Sequence, residues 1–378
     1  MTPPRGRRNG GRVPAPDLAP SRTDEVVTAV LQLEREAGTP EAADARRLLS
    51  DHFQALGFRV EVQRFVFSTG TLAALPVFGA GLGWITVITL PLLLLQGAPA
   101  WGSVTTWVIG LVALGLIVAG IALGWAPARG DKREDANLIV RRPDAQVDRW
   151  IVAHVDTKAQ RQSMAGRLVA LGVTAVAVLL MTGMAVVRLW FAPPTAAVAG
   201  VAGLVLAASV LAARARLRGR TVGARDNGSG LVAALVAADT SDERTGFIFT
   251  GAEEFGLVGA RILAQQTPEL VRGRDVINLD TIDDAGDVAV VSHDRHGAEL
   301  AERLAALLQT PEHRVRRRRL PPGIMVDSLA LARAGARAVT VARLDWGTLR
   351  VIHTPRDSNR TLALATARWI GAAIARPR

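Results

Sequence analysis

Four stretches of the chain are long and apolar enough to cross a bilayer, and they constrain the fold more than any other feature. They run from about Leu72 to Leu95, Val104 to Trp125, Leu168 to Val187 and Ala196 to Ala213. A helix rising 1.5 Å per residue needs about 20 apolar residues to span the hydrocarbon layer. The first three stretches hold no charged residue within these limits. The fourth is rich in alanine and short, which suits a tilted or partly interfacial span. Core helices of a soluble protein rarely go so long without a polar face. Trp101, Trp107, Trp125 and Trp190 lie at or near the ends, where indoles favour the headgroup level.

The short links between the first and second stretches and between the third and fourth predict two hairpins. Gln96–Ser103 has no Lys or Arg, and Arg188–Thr195 has one. The opposite ends are basic: Arg5, Arg7, Arg8 and Arg12; Arg129, Lys132 and Arg133; Lys158, Arg161 and Arg167; Arg214, Arg216, Arg218 and Arg220. The positive-inside rule then places every non-membrane part on the cytoplasmic side of a four-span integral membrane protein. Arg7-Arg8 has the look of a twin-arginine start, but no apolar run follows within residues 1–70, so no signal peptide is predicted. A net charge of +11 suits nucleic acid or a membrane face. Its concentration at the span ends favours the membrane. The chain has no cysteine and no tyrosine. Disulfides and thiolate ligands are excluded, so any metal must rest on His and carboxylate.

Outside the apolar blocks the pattern is that of a globular α/β protein. Residues 1–22, rich in Pro, Gly and Arg, read as disordered. Helical patterns cover about Asp24–Glu36 and Pro40–Leu56. Strand-like runs follow at Phe58–Phe67, Ala136–Pro143 and Arg149–Asp156. Beyond the second apolar block, helices are predicted at Asn227–Ala238, Leu257–Gln265, Ala298–Leu308, Asp327–Ala334 and about Thr361–Ala375. Strands are predicted at Gly246–Gly251, Asp275–Asp280, Asp287–Ser292 and Ala338–Leu344. Alternating strands and helices predict a sheet covered on both faces, with ligands bound at strand ends.

Polar residues gather at just those ends. His154 and Asp156 close WIVAHVD, and Asp226 opens a helix in GARDNGSG. Glu253 and Glu254 follow FIFTG, Asp280 closes VINLD, and His353 lies in VIHTPRDS. Each alone has a plain structural reading: a helix cap, an acidic first turn, a turn residue or a core histidine. Together they supply the ligand types of a two-metal hydrolase.

The motifs AHVD, GARDNGSG, GAEEFGLVGAR, NLDTID and IHTPRDS, in that order, resemble those of the M28 family of zinc peptidases. With the hairpins set aside, the resemblance covers about residues 24–67 and 134–378. It implies a zinc-peptidase-like mixed sheet flanked by helices and interrupted by two transmembrane helical hairpins. The peptidase domain is then discontinuous (23–70, 130–163 and 218–378), with hairpins at 71–127 and 164–217. The resemblance further implies two Zn2+ ions, with His154 and Asp280 on one, Glu254 and His353 on the other, and Asp226 bridging them. Mn2+ or Co2+ would also suit such ligands. Glu253 is implied as the general base and Asp156 as a residue that orients the ligands. Two divalent ions balance three ligand carboxylates and a hydroxide almost to neutrality.

The sequence departs from the family pattern at Arg225, where relatives often carry an acid, and at Ile352, where they often carry tyrosine. The second hairpin also separates His154 from Asp226 far more widely than in soluble relatives. That insertion suggests an active-site mouth close to the membrane and a peptide or aminoacyl substrate that is itself membrane-associated, with a plain anchor as the alternative. The basic run Arg314–Arg319 reads as a solvated edge strand rather than a nucleic-acid contact. His52, His293, His296 and His313 read as surface or structural residues. The leading function is an aminopeptidase. Glutaminyl cyclisation, N-acyl amino acid hydrolysis and a non-catalytic membrane scaffold are the alternatives. The spans carry no charges that would mark a transport pathway.

Overall fold

The computed structural model describes residues 21–122, 125, 130–321 and 323–376. Most of the segment expected to be disordered lies outside these residues, as do Arg5, Arg7, Arg8, Arg12 and Arg129. Ser21 and Arg22, however, belong to a helix start: the Ser21 hydroxyl accepts from the Asp24 amide and caps α1 (Arg22–Val30). Thr39 caps α2 (Pro40–Ala55) in the same way, with proline in the first turn.

One eight-stranded mixed sheet organises the α/β body. Its strands are β1 (Arg59–Ser68), β2 (Lys132–Arg141), β3 (Arg149–His154), β4 (Thr245–Thr250), β5 (Asp275–Ile282), β6 (Val288–Ser292), β7 (Val315–Arg319) and β8 (Arg337–Arg343). They lie in the order β1-β2-β4-β3-β5-β8-β6-β7. The four central strands β4, β3, β5 and β8 are parallel. Antiparallel pairs flank them, β1 and β2 on one side and β6 against β8 on the other. The central strands are buried on both faces, as parallel strands between helical layers must be. Arg314–Arg319 largely forms the edge strand β7, where Arg316 and Arg317 pair with Asp287 and Glu302.

One face of the sheet packs Leu49 and Phe53 of α2 and the small apolar surface of α7 (Ser229–Thr240). Leu300 and Leu304 of α9 (Arg295–Leu308) and Ile370 of α12 (Ala365–Ile374) complete that layer. The other face packs Ala260 and Leu263 of α8 (Val258–Gln266) and Leu331 of α10 (Asp327–Arg333) against Trp150, Ile248 and Val276.

The apolar stretches form α3 (Ala74–Leu94), α4 (Ala100–Ala122), α5 (Met164–Val187) and α6 (Thr195–Ala213), each long and apolar enough to cross a membrane. They pack together: α3 lies against α4 and α6, and α5 against α6. Leu82, Trp107, Met181 and Val205 meet in their shared interior. A Cβ at Gly79 would come within 2.4 Å of the Ser209 carbonyl oxygen, so glycine sets the closeness of α3 and α6. Hydroxyls of Thr86, Thr174, Thr182 and Ser209 bond the carbonyl four residues earlier, which satisfies them without water. Trp101, Trp125 and Trp190 are exposed. Trp107 is not: it is fully buried in the bundle, and its indole N–H donates to Thr182 Oγ1 at 2.9 Å.

The bundle is tied to the body by specific contacts. Thr71, just before α3, donates to the Phe255 carbonyl at 2.8 Å. Gln162 donates to the Leu211 carbonyl at the end of α6. A short helix not anticipated from the sequence, α11 (Trp346–Val351), packs on α5.

Candidate active site

The C-terminal ends of β3, β4 and β5 gather side by side because β3 has β4 on one flank and β5 on the other. Such a reversal of strand order opens a crevice at the carboxyl ends. His154 is the last residue of β3, and Glu253 and Glu254 follow β4. Asp280 was expected to close its strand. β5 instead continues to Ile282, with an irregular register against β8 between Leu279 and Ile282. Asp226 was expected to open a helix. It lies in an irregular turn, Ala224–Gly228, and α7 begins only at Ser229. Gly223 starts that turn at φ +52°, where a Cβ would lie 2.3 Å from the Asp226 carbonyl oxygen. Ala252, Thr281 and His353, at or beside site residues, also take positive φ. Such strain is held only by a well-determined surrounding structure.

These turns bring the side chains together. Asp226 lies between two histidines: its Oδ1 is 3.2 Å from His154 Nε2 and its Oδ2 is 2.9 Å from His353 Nε2. Asp280 Oδ1 lies 4.0 Å from His154 Nε2, and Glu254 Oε1 lies 3.2 Å from His353 Nε2. Two clusters suited to a metal ion result, His154–Asp226–Asp280 and Asp226–Glu254–His353, sharing Asp226. The donor set fits a divalent cation. Glu254 Oε1 is buried without a hydrogen-bond partner although it faces His353. Several carboxylates also converge there with little solvent to screen them.

The surrounding groups fix orientation. The Asp156 backbone carbonyl accepts from His154 Nδ1 at 3.0 Å, so that nitrogen carries a proton and Nε2 is turned toward the cluster. The Asp156 carboxylate accepts the backbone N–H groups of Glu253 and Glu254 at 2.9 and 3.1 Å, which sets the turn after β4. Asp357 does the same for Arg225 and Asp226, at 3.0 and 3.1 Å. The fully buried Arg35 guanidinium donates to the carbonyls of Val155, Val222 and Gly223, joining the His154 and Asp226 loops. Arg225, at the position that departs from the family pattern, ion-pairs with Asp283 at 2.8 Å.

Lys158 is buried and donates to the Glu254 carboxylate at 2.5 Å and to its carbonyl at 3.2 Å. It is therefore an internal cation rather than part of a basic membrane face. The alternation 154, 156, 158 was its only sequence signal. Asp357, four residues after His353, was legible only as part of IHTPRDS. Asp327 and Arg35 carried no signal. Asp327 is buried at the start of α10 and accepts from Thr250. Of the histidines outside the motifs, His52 is buried in α2, and His293 meets Ser328 at 2.7 Å. His313 stacks on Trp369, and His296 is exposed.

Charge is distributed unevenly across the cluster. Burial pushes the Glu253 carboxyl well above the usual range, helped by Asp327, Glu254 and Asp280 and opposed by His154. Burial would also raise Glu254, but His353 and Lys158 hold it at about 2. Asp226 is held low against its burial by hydrogen bonds to both histidines. Burial carries Asp156 to about 7, and Asp280 and Asp327 to about 6. Their neighbours thereby shift the adjacent glutamates in opposite directions, Glu253 up and Glu254 down.

Fold and site together define a peptidase-like enzyme. Residues 199–376 match the model of peptidase family M28. That segment contains Asp226, Glu253, Glu254, Asp280 and His353; His154 and Asp156 precede it, across α5 and the start of α6. The chain resembles the M28 zinc metallopeptidases in the ordered motifs as well. No curated protein matches. Among solved structures, the chain is similar to an aminopeptidase from Aneurinibacillus sp. strain AM-1 (TM-score 0.52, 15% identity, 94% of each chain covered). It is similar also to BSAP, a zinc aminopeptidase from Bacillus subtilis (0.52, 16%, 94% of each). A third likeness is to a Bacteroides thetaiotaomicron glutaminyl cyclase (0.53, 13%, 93% of this chain and 96% of that one). At these identities the likeness establishes the fold, which serves peptide hydrolysis and a related amide chemistry alike.

Proposed function

We propose that the chain is a membrane-anchored two-metal aminopeptidase. The observation that carries this reading is the position of Asp226, with one oxygen toward His154 and the other toward His353. His154 and Asp280 would hold one ion, Glu254 and His353 the other, and Asp226 both. Zinc is the preferred metal, and manganese or cobalt would fit the same donors. When bound, the ions acidify water and polarise the scissile carbonyl. Glu253 would take the proton from the attacking water and return it to the departing amine; burial raises its carboxyl in the ion-free site, and cations held beside it would oppose that shift and favour the ionised base. Asp156 holds the Glu253–Glu254 turn so that the two carboxylates serve different tasks. Ile352 stands where relatives often carry tyrosine, so this chain offers no phenolic donor at that position.

The substrate is a peptide or aminoacyl group presented close to the bilayer. Both helix pairs adjoin the site's loops: Thr71 bonds the Phe255 carbonyl beside Glu254, and Gln160 donates its N–H to the His353 carbonyl four residues before α5. The basic ends of the spans favour a cytoplasmic catalytic body. The glutaminyl cyclase likeness supports a second reading, another amide chemistry at the same centre. No nucleic-acid partner is expected, since Arg316 and Arg317 of the basic strand are paired.

The test is metal content and aminoacyl-amide hydrolysis of detergent-purified protein. Wild type should hold two zinc ions and turn over. Asp226→Ala should lose both properties. Glu253→Gln should keep its metal while kcat falls roughly 10²–10⁴-fold. A folded wild type that takes up no metal when zinc is supplied would overturn the reading in favour of a scaffold.

A further inference from the structure

Where α6 ends, the chain turns back and builds a cavity of about 380 Å3 lined by Arg161, Arg214, Arg216 and Arg218, with Val210 and Leu217 among its apolar walls. Four cations at one opening repel one another unless an anion is present. Their neighbours supply none: all four are exposed, and among the described residues their side chains make no ion pair or hydrogen bond. Nearby basic residues behave differently. Arg133 pairs with Glu36, and Arg220 with Glu34 and Glu41. The cluster is also held in place by backbone rather than by chance proximity. The Arg161 N–H donates to the Arg216 carbonyl at 3.0 Å, the Arg218 N–H donates to the Ala159 carbonyl at 3.0 Å, and Gln160 bridges Leu217 in antiparallel fashion.

We infer that this cavity binds the headgroup of an anionic phospholipid. The cations match the phosphate, and guanidinium groups grip phosphate oxygens in pairs. The apolar wall is continuous with the end of α6, an apolar helix of membrane-spanning length, so an acyl chain leaving the cavity meets α6 rather than water. A soluble phosphate ester would match the arginines but leave that wall wet. The lipid assignment rests on reading the four helices as membrane spans.

The site is not remote from the metal cluster. The segment that carries Arg161 also places Lys158 on Glu254 and the Gln160 N–H on the His353 carbonyl. A bound headgroup would therefore fix the short segment from which the Asp226–Glu254–His353 cluster is braced.

The experiment incorporates the full chain into nanodiscs of phosphatidylcholine, with or without phosphatidylglycerol, and counts retained lipids by native mass spectrometry. Wild type should retain phosphatidylglycerol selectively. The Arg214→Gln/Arg216→Gln pair should lose that selectivity by about five-fold for each arginine removed. Arg214→Lys/Arg216→Lys should keep most of it. Arg316→Gln/Arg318→Gln, on the sheet edge, should leave it unchanged. Equal retention of both lipids by wild type, or full selectivity in the glutamine pair, overturns the inference. So does displacement of phosphatidylglycerol by glycerol 3-phosphate, which would indicate a soluble phosphate ester instead. A chain that stays soluble without detergent and never enters the discs would instead refute the membrane reading beneath it.

Discussion

In the helical bundle the large apolar side chains Trp84, Ile109, Leu116 and Leu179 face outward, while Thr86, Thr89 and Ser209 turn inward. In the α/β body the arrangement is reversed: Phe53, Trp150, Phe247 and Ile151 fill the interior and the charged residues lie mostly outside. Both regions obey the same requirement, that a polar group away from water must be bonded. They differ in where the large apolar side chains face. In the bundle, hydroxyls bond their own helix and small residues let backbones approach. In the body, buried charge is paired or bonded: Asp135 with Arg46 and Asp275 with Arg303 and Arg337 away from the candidate site, and Asp156, Asp226 and Glu254 within it. There the cost of burial is offset by histidines, backbone N–H groups and, in the proposed holoenzyme, by cations.

The contrast is sharpest at Asp156, whose buried carboxylate accepts two backbone N–H groups. Asp156→Asn keeps the shape but replaces one acceptor oxygen with a donor that faces an N–H. Zinc affinity should fall about 10–100-fold, as for other residues that orient metal ligands. Calorimetric titration of the metal-stripped protein measures this directly. An unchanged affinity would mean that the turn after β4 is set by its own backbone.

That clamp also marks the limit of what the sequence discloses. The four long apolar helices were legible because each is a long, uniformly apolar run. The candidate ligands were legible because each stands in one of the ordered motifs, and His154, Glu254 and Asp280 also lie at or beside the ends of strands. What failed to show were groups whose role depends on distant parts of the chain. Lys158 looked like one more basic residue at a span end, yet it is buried against Glu254, 96 positions away. Arg35 reaches across to Val222 and Gly223, nearly half the chain later. Trp107 looked interfacial because it is an indole near a helix start, but Thr182 offers its N–H a partner in the interior. The helix expected directly after Asp226 starts late because Asn227 is spent elsewhere: its amide group bonds the Leu279 carbonyl and the Thr281 N–H.

A second prediction separates the packing of the bundle from its mere hydrophobicity. Gly79 and Gly115 are both glycines in apolar helices, but a Cβ at Gly115 meets nothing within 4 Å. Gly79→Leu must push α3 away from α6 and should cost about 2 kcal/mol, in the range of overpacked cores. Gly115→Leu adds apolar surface facing outward and should be close to neutral. Thermal unfolding in detergent compares the two. Equal losses would mean that the close approach of α3 and α6 contributes little to holding the bundle together.

The smallest effect tests the body's side of the comparison, at a buried polar group with no task. His52 lies in α2 beside Phe53, and neither ring nitrogen has a partner. Burial holds its pKa below the ordinary 6.5, with Arg22 adding to the shift and Asp239 opposing it. The unfolded chain then binds a proton more readily than the folded one. His52 therefore costs nothing by titration above pH 6.5, and it destabilises progressively as pH falls from 6.5 toward the folded-state pKa. His52→Leu removes two unpaired nitrogens from an apolar setting. It should raise stability by about 1 kcal/mol at neutral pH and flatten the loss on acidification through that window. Denaturation of wild type and variant at pH 7 and pH 5.5 gives the comparison. A wider gap at the lower pH is expected, because the leucine variant has no proton to refuse.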